Sequence, residues 1–104
     1  DSVQSLIEAL DDESDWVRRN ATNSLGIIGE SFEDTIPALI RAMKDAQPFV
    51  PINAIFALTK IRKSHPNYDP LFKDVELALN DALNHQHERV SYYSNYALEQ
   101  FNQT

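Results

Sequence analysis

His85-Gln86-His87-Glu88 sets two imidazoles and a carboxylate within four residues. Those side chains ligate zinc or a non-haem iron. The segment offers only near neighbours and no distant ligand, whereas a structural metal site needs about four converging ones. A polar turn is the expected reading. Asp11-Asp12-Glu13-Ser14-Asp15 gathers carboxylates as a calcium loop does, but it lacks the Gly and the distal Glu that such a loop requires. Solvation and helix capping account for it. No Ser stands in a Gly-x-Ser-x-Gly elbow. There is no Cys, so no disulfide framework and no thiolate metal site can form. No metal, cofactor or catalytic residue is expected.

The residues suited to recognition are aromatic. Trp16, Arg19 and Asn23 recur as Phe49, Ile52 and Phe56, then as Arg89, Tyr92 and Tyr96. Aromatic side chains beside an Arg are typical of binding hot spots. These residues must be held by regular elements, and the chain repeats itself to provide them. The stretches from Trp16, Phe49 and Arg89 align column by column: Val17/Val50/Val90, Ala21/Ala54/Ser94, Ser24/Ala57/Ala97 and Leu25/Leu58/Leu98. At 100° per residue, Val17, Ala21, Ser24 and Ile28 fall within about 60° of one another, so each stretch predicts a helix with one apolar stripe. A second helix precedes each: Val3, Leu6, Ile7 and Leu10 match Ile36, Leu39, Ile40 and Met43, and more loosely Phe72, Val75, Leu79 and Leu83.

Three helical pairs follow, near 2–10 with 15–28, 35–45 with 49–62, and 70–84 with 88–101. Ser31 to Asp34 reads as a capping box with Pro37 in the first turn, Asp69-Pro70 as an N-cap before a first-turn Pro, and Gly29 as a C-cap. The repeat columns stand 33 residues apart from Val17 to Val50 and 40 from Val50 to Val90. The extra residues are placed in a loop at Lys63 to Tyr68, read as a spacer, because insertions in repeat arrays map to loops. The fold expected is an all-α, right-handed α-solenoid of three helical-hairpin repeats, about 2–28, 35–62 and 69–101. The domain is 1–104, alone or as a fragment of a longer array. The chain opens on Asp rather than Met, which marks a boundary rather than a translation start.

On the helical wheel the outward columns are 19, 23 and 26 with their counterparts. The expected partner-binding strip on the concave face is therefore Trp16, Arg19, Asn23, Ile52, Phe56, Tyr92 and Tyr96, with Ile52 pointing most directly outward. Trp16 and Phe49 are expected to pack between repeats. The central helix is apolar almost all round, which predicts burial on several sides, Ile55 included.

Nine Lys and Arg stand against sixteen Asp and Glu, a net charge of -7. Nucleic-acid binding needs a basic face and is disfavoured. The apolar runs are too short to span a membrane. No basic-then-apolar signal segment opens the chain. A cytoplasmic or other reducing compartment fits the absence of Cys.

Leu6-Ile7-Glu8-Ala9-Leu10-Asp11-Asp12 followed by Val17-Arg18-Arg19-Asn20-Ala21 and Leu25-Gly26 resembles the HEAT repeat, above all the HEAT-like repeats of the phycobilisome lyase type. The resemblance extends over nearly the whole chain. It implies the solenoid and an inner-helix binding surface, and it implies structural roles for four residues. Asp12 and Arg18 match an Asp and an Arg that meet locally in such repeats. Pro51 and Ser91 replace that Arg in the later repeats, which breaks the pattern of an Asp–Arg ladder. Asn20 and Asn53 share a column suited to reaching a neighbouring repeat's backbone.

Functionally the resemblance implies a non-catalytic scaffold for a protein partner, with self-association through the repeat ends as a further expectation. The alternative is a bilin lyase-like protein handling a tetrapyrrole or its pigment-protein acceptor, in a plastid or at a thylakoid. Deoxyhypusine hydroxylase is similar in layout and holds iron with His-Glu pairs on its inner helices. The matching positions here are Arg19-Asn20, Ile52-Asn53 and Tyr92-Tyr93, and none is His-Glu.

Overall fold

The computed structural model describes residues 3–28, 32–65 and 72–101. Within them lie six helices: α1 (Val3–Ala9), α2 (Asp15–Ile28), α3 (Phe32–Ala42), α4 (Phe49–Ser64), α5 (Phe72–Ala82) and α6 (Glu88–Phe101). They pair as three hairpins. α2 packs on α4 and α4 on α6, yet α2 never reaches α6; α1, α3 and α5 form a second row in the same way. This linear adjacency distinguishes a stack of hairpins from a bundle, and it gives a flat body of 35 × 30 × 17 Å. The protein is an α-solenoid, as its periodicity requires.

The repeat columns build the core. Leu25 and Leu58, Ala21, Ala54 and Ser94, and Val50 and Val90 are all buried. Each fully buried Leu, Ile or Val contributes roughly 1.5–3 kcal/mol. α4 is the hub. It touches α2, α3, α5 and α6, and half of its residues are buried, Ile55 among them. An apolar helix without a clear polar face is stable only when wrapped in this way. The small residues of the stripe set the spacing: a Cβ on Gly26 would lie 2.7 Å from the Ala57 Cβ. Gly26 is thus a buried seam residue, not a member of an outward column.

Local chemistry fixes each hairpin turn in the same place. Asp12 Oδ1 accepts the Ser14 N–H at 2.9 Å, and Asp45 Oδ1 accepts the Gln47 N–H at 2.9 Å. In the third hairpin His85 does the same, its Nδ1 accepting the His87 N–H at 3.0 Å. Helix starts are then closed by the next polar residue: Ser14 Oγ accepts from Val17 N, Gln47 Oε1 from Phe49 N, and His87 Nδ1 from Arg89 N. Both imidazoles of the His85–Glu88 segment are therefore engaged in shaping a turn. Among the described residues no three His, Cys, Asp or Glu cluster in a way that could hold a metal. Of the acidic run, only Asp15 lies in the first turn of α2.

α3 begins at Phe32, which places Pro37 inside the helix, beyond the first turn. Pro51 is the third residue of α4, where its missing N–H costs no intrahelical bond. α4 extends through Lys63 and Ser64, so the expected loop begins later than the sequence implied. Gly29, Ser31 and Asp69-Pro70, read as caps, and residues 66–68 of the loop lie outside the described residues.

Ser94 replaces the Ala of the other two repeats. Its Oγ is buried without a hydrogen-bond partner among the described residues. Leaving such a hydroxyl unsatisfied costs about 1–3 kcal/mol. Ser94→Ala is therefore expected to raise stability by about 1 kcal/mol, read as a higher urea midpoint with an unchanged slope.

Candidate partner-binding surface

Four sectors run around each inner helix. On α2, Ala21 and Leu25 turn into the hairpin core. Thr22 and Gly26 are buried toward α4. Asn20 and Ser24 lie on the opposite flank, in the columns by which α4 meets α2. Trp16, Arg19, Asn23 and Ile27 fill the remaining sector, away from the outer helices. The equivalents on α4 are Phe49, Ile52, Phe56 and Lys60, and on α6 Arg89, Tyr92, Tyr96 and Gln100.

This sector holds most of the exposed large apolar side chains of the described residues: Trp16 at 62%, Ile27 at 65%, Phe49, Phe56, Tyr92 at 67% and Tyr96. Their alignment across three helices makes a continuous apolar strip, which isolated surface aromatics would not make. The rings are ordered by one another. The Arg19 guanidinium lies over the Trp16 ring at 5.3 Å and over the Phe49 ring at 4.7 Å. Each such contact contributes about 0.5–1 kcal/mol at an exposed site. Phe56 meets Tyr93 edge-to-face at 5.0 Å, and Tyr93 meets Tyr92 at 5.2 Å. Trp16 and Phe49 thus sandwich Arg19 at the surface rather than filling the seam between repeats.

Ile52 is the clear correction. It is 5% exposed, not the most outward residue of the strip. It forms the floor of a groove of about 590 Å³ between the start of α4 and the start of α6, walled by Pro48, Phe49, His87 and Arg89. The single-helix wheel missed this because inner helices bury two stripes, one against their own outer helix and one against the neighbouring repeat. Ile27 and Phe49 were missed as exposed members of the strip. Their signal was present: column 16/49/89 had already supplied Trp16, and column 27/60/100 flanks the columns chosen.

The polar seam also departs from expectation. Arg18 does reach Asp12, but at its backbone: NH1 donates to the carbonyls of Asp12 at 2.9 Å and Glu13 at 3.1 Å. Its charge partner is Asp45 in the next repeat, with Nε 2.7 Å from Oδ2 and NH2 3.3 Å from Oδ1. The hydrogen bond that Arg18 donates to Asp45 is the main cause that pushes its guanidinium above its ordinary value, against a smaller opposing effect of burial. One Asp–Arg rung therefore joins the first two hairpins. At the second seam His85 takes over. Because its Nδ1 accepts from His87, Nε2 carries the proton and donates to the Asp45 carbonyl at 3.0 Å. Asn53 Nδ2 donates to the Arg19 carbonyl at 3.2 Å, so that column does join neighbouring backbones. Asn20 is exposed.

No helix among the described residues is long and apolar enough to cross a membrane. No curated protein matches the chain. A family model described as HEAT repeats matches residues 1–59, more than half of the sequence. With three stacked hairpins and an inter-repeat Asp–Arg rung in place, the chain belongs to the HEAT repeat family.

Proposed function

We propose that the protein is a non-catalytic scaffold that binds a protein partner along the face formed by α2, α4 and α6. The observation that carries this reading is the ordered strip of exposed aromatic side chains with Arg19 clamped between Trp16 and Phe49. Rigid rings lose little entropy on binding, which is why Tyr, Trp and Arg dominate interface energetics. The groove over Ile52 supplies a recess for one apolar side chain of the partner. HEAT repeats commonly serve as protein-interaction scaffolds, which supports the assignment. The net charge of -7 favours a neutral or basic partner, chiefly through encounter rate. The absence of Cys is compatible with a cytoplasmic or other reducing setting.

Tyr92 and Tyr96 are the residues to change, being exposed and outside the core. Tyr92→Glu with Tyr96→Glu is expected to weaken a partner captured from the native source by about 30-fold or more while leaving helical content intact. Unchanged affinity at unchanged circular dichroism would remove this face from consideration.

A second reading rests on the resemblance to phycobilisome lyase repeats and on the flat aromatic wall beside Arg19. In it the strip holds a bilin or its pigment-protein acceptor, with the guanidinium facing a propionate. A shift in bilin absorbance or fluorescence on mixing supports it. An unchanged spectrum with both free bilin and apo-pigment protein dismisses it.

A further inference from the structure

We propose that the outer flank of the first hairpin is a docking surface for a further HEAT hairpin stacked ahead of α1. That hairpin would carry an Arg in the Arg18 column and a small residue in the Gly26 column.

The two seams inside the molecule show what covers this flank elsewhere. Three columns are compared across the hairpins. Val17, Ser24 and Ile28 are half-buried or exposed in the first hairpin, while Val50, Ala57 and Ile61 are buried in the second and Val90, Ala97 and Phe101 in the third. Ile28 at 36% against Ile61 at 2% marks the contrast. The second and third hairpins each have a predecessor leaning on these columns. The first carries the same residue types with nothing upon them among the described residues.

The polar devices of the seam are repeated too. Asp45 receives Arg18 from the preceding hairpin, and Asp12 stands in its column, exposed and with no ion pair among the described residues. Asn53 donates to the carbonyl of Arg19 in the preceding hairpin. Asn20 stands in that column, also exposed. Ser24 is small, as Ala57 is where it closes on Gly26. An apolar stripe, an acid for an arginine, an amide for a carbonyl and a small residue for close approach occur together at the seam between the first and second hairpins.

A second copy of this chain does not supply the match. Its last hairpin would have to present the columns of Arg18, Thr22 and Gly26, and it carries Ser91, Asn95 and Glu99 there. Ser91 leaves Asp12 without a cation. Glu99 puts a long charged side chain where Gly26 allows a 2.7 Å Cβ approach. Polar residues on an outward repeat face keep such arrays from growing. The two flanks of the molecule are therefore unlike: the first hairpin carries the receiving features of the first seam, and the last hairpin lacks the presenting ones.

The test uses the full 104-residue chain as its own probe. Ser91→Arg with Glu99→Ala gives the last hairpin the features that the first hairpin's flank requires. Sedimentation velocity should show the unaltered chain as a monomer and the double variant associating head to tail at least about tenfold more tightly. Adding Asp12→Asn and Ser24→Glu, both on the receiving flank, should return the double variant to monomer. Circular dichroism checks that all chains remain helical. If Glu99→Ala unfolds α6, Ser91→Arg alone is read against Ser91→Arg with Asp12→Asn in the same way. A variant that associates no better than the unaltered chain would overturn the proposal. So would association that survives the Asp12 and Ser24 changes, or unaltered chains that already associate through Asp12.

Discussion

Gly26→Val is expected to destabilise the protein by about 3 kcal/mol, the upper end of what overpacking a well-filled interior costs. Every substitution at this position places a Cβ 2.7 Å from the Ala57 Cβ and 3.0 Å from the Ala57 Cα. The second contact is with backbone, so no rotamer relieves it; α2 and α4 must move apart along their whole seam. Gly26→Ala separates the two opposing effects. Alanine gains about 1 kcal/mol of helix propensity, and the clash still exceeds it, so a smaller net loss is expected. Ala57→Gly in that background removes the 2.7 Å contact but leaves the one with the Cα, and it adds the helix cost of a glycine, so it should recover only part of the loss. Thermal melts followed by circular dichroism decide the matter, since about 3 kcal/mol corresponds to a fall of roughly 10–20 °C in Tm for a domain of this size. A Gly26→Ala protein more stable than the parent would show that the seam is loose.

Arg18→Ala is expected to cost about 2–3 kcal/mol, because it removes charge-assisted hydrogen bonds to three separate residues at once. Asp45 binds the guanidinium edge from the next hairpin, while Asp12 and Glu13 present carbonyls from the turn of the first. Both charged side chains remain about a fifth exposed, at 19% and 16%, so the Coulombic part is partly screened. The greater share lies in geometry: one planar group ties a turn to a neighbouring turn. Arg18→Lys should therefore recover less than half of the loss, since an ammonium cannot span these acceptors. The raised guanidinium value means that the arginine's side of this contribution is present through the neutral range and is lost in strong alkali. A double-mutant cycle with Asp45→Asn isolates the charge, because Asn keeps an acceptor for the Gln47 N–H. Its coupling should shrink as salt is added. A coupling near zero at low salt would assign the whole effect to the turn carbonyls.

The architecture was legible because repetition overdetermines it. Val17, Val50 and Val90 each locate a helix, and agreement among three copies fixes hairpin boundaries that one copy would leave loose. The surface was only partly legible. A wheel drawn for one helix knows one buried side, so Ile52 and Gly26 were turned outward although the next repeat covers both. Arg19, Asn23, Phe56, Tyr92 and Tyr96 lie far enough from either buried stripe that the same wheel placed them well. Asp12 and Arg18 were read as partners because the resemblance to HEAT repeats implies a local contact between those positions. The charge instead crosses to Asp45, a pairing that depends on how far apart stacking sets the hairpins. His85 was read as part of a polar turn, and there it takes an aspartate's place, a role that residue type alone does not disclose.

The two joints of this small stack are made of different stuff. The first is clasped by a charged clip over a bare glycine contact; the second is closed by a histidine hydrogen bond and by Phe56 lying against Tyr93. Added salt is therefore expected to weaken the first joint more than the second, which holds no ion pair among the described residues.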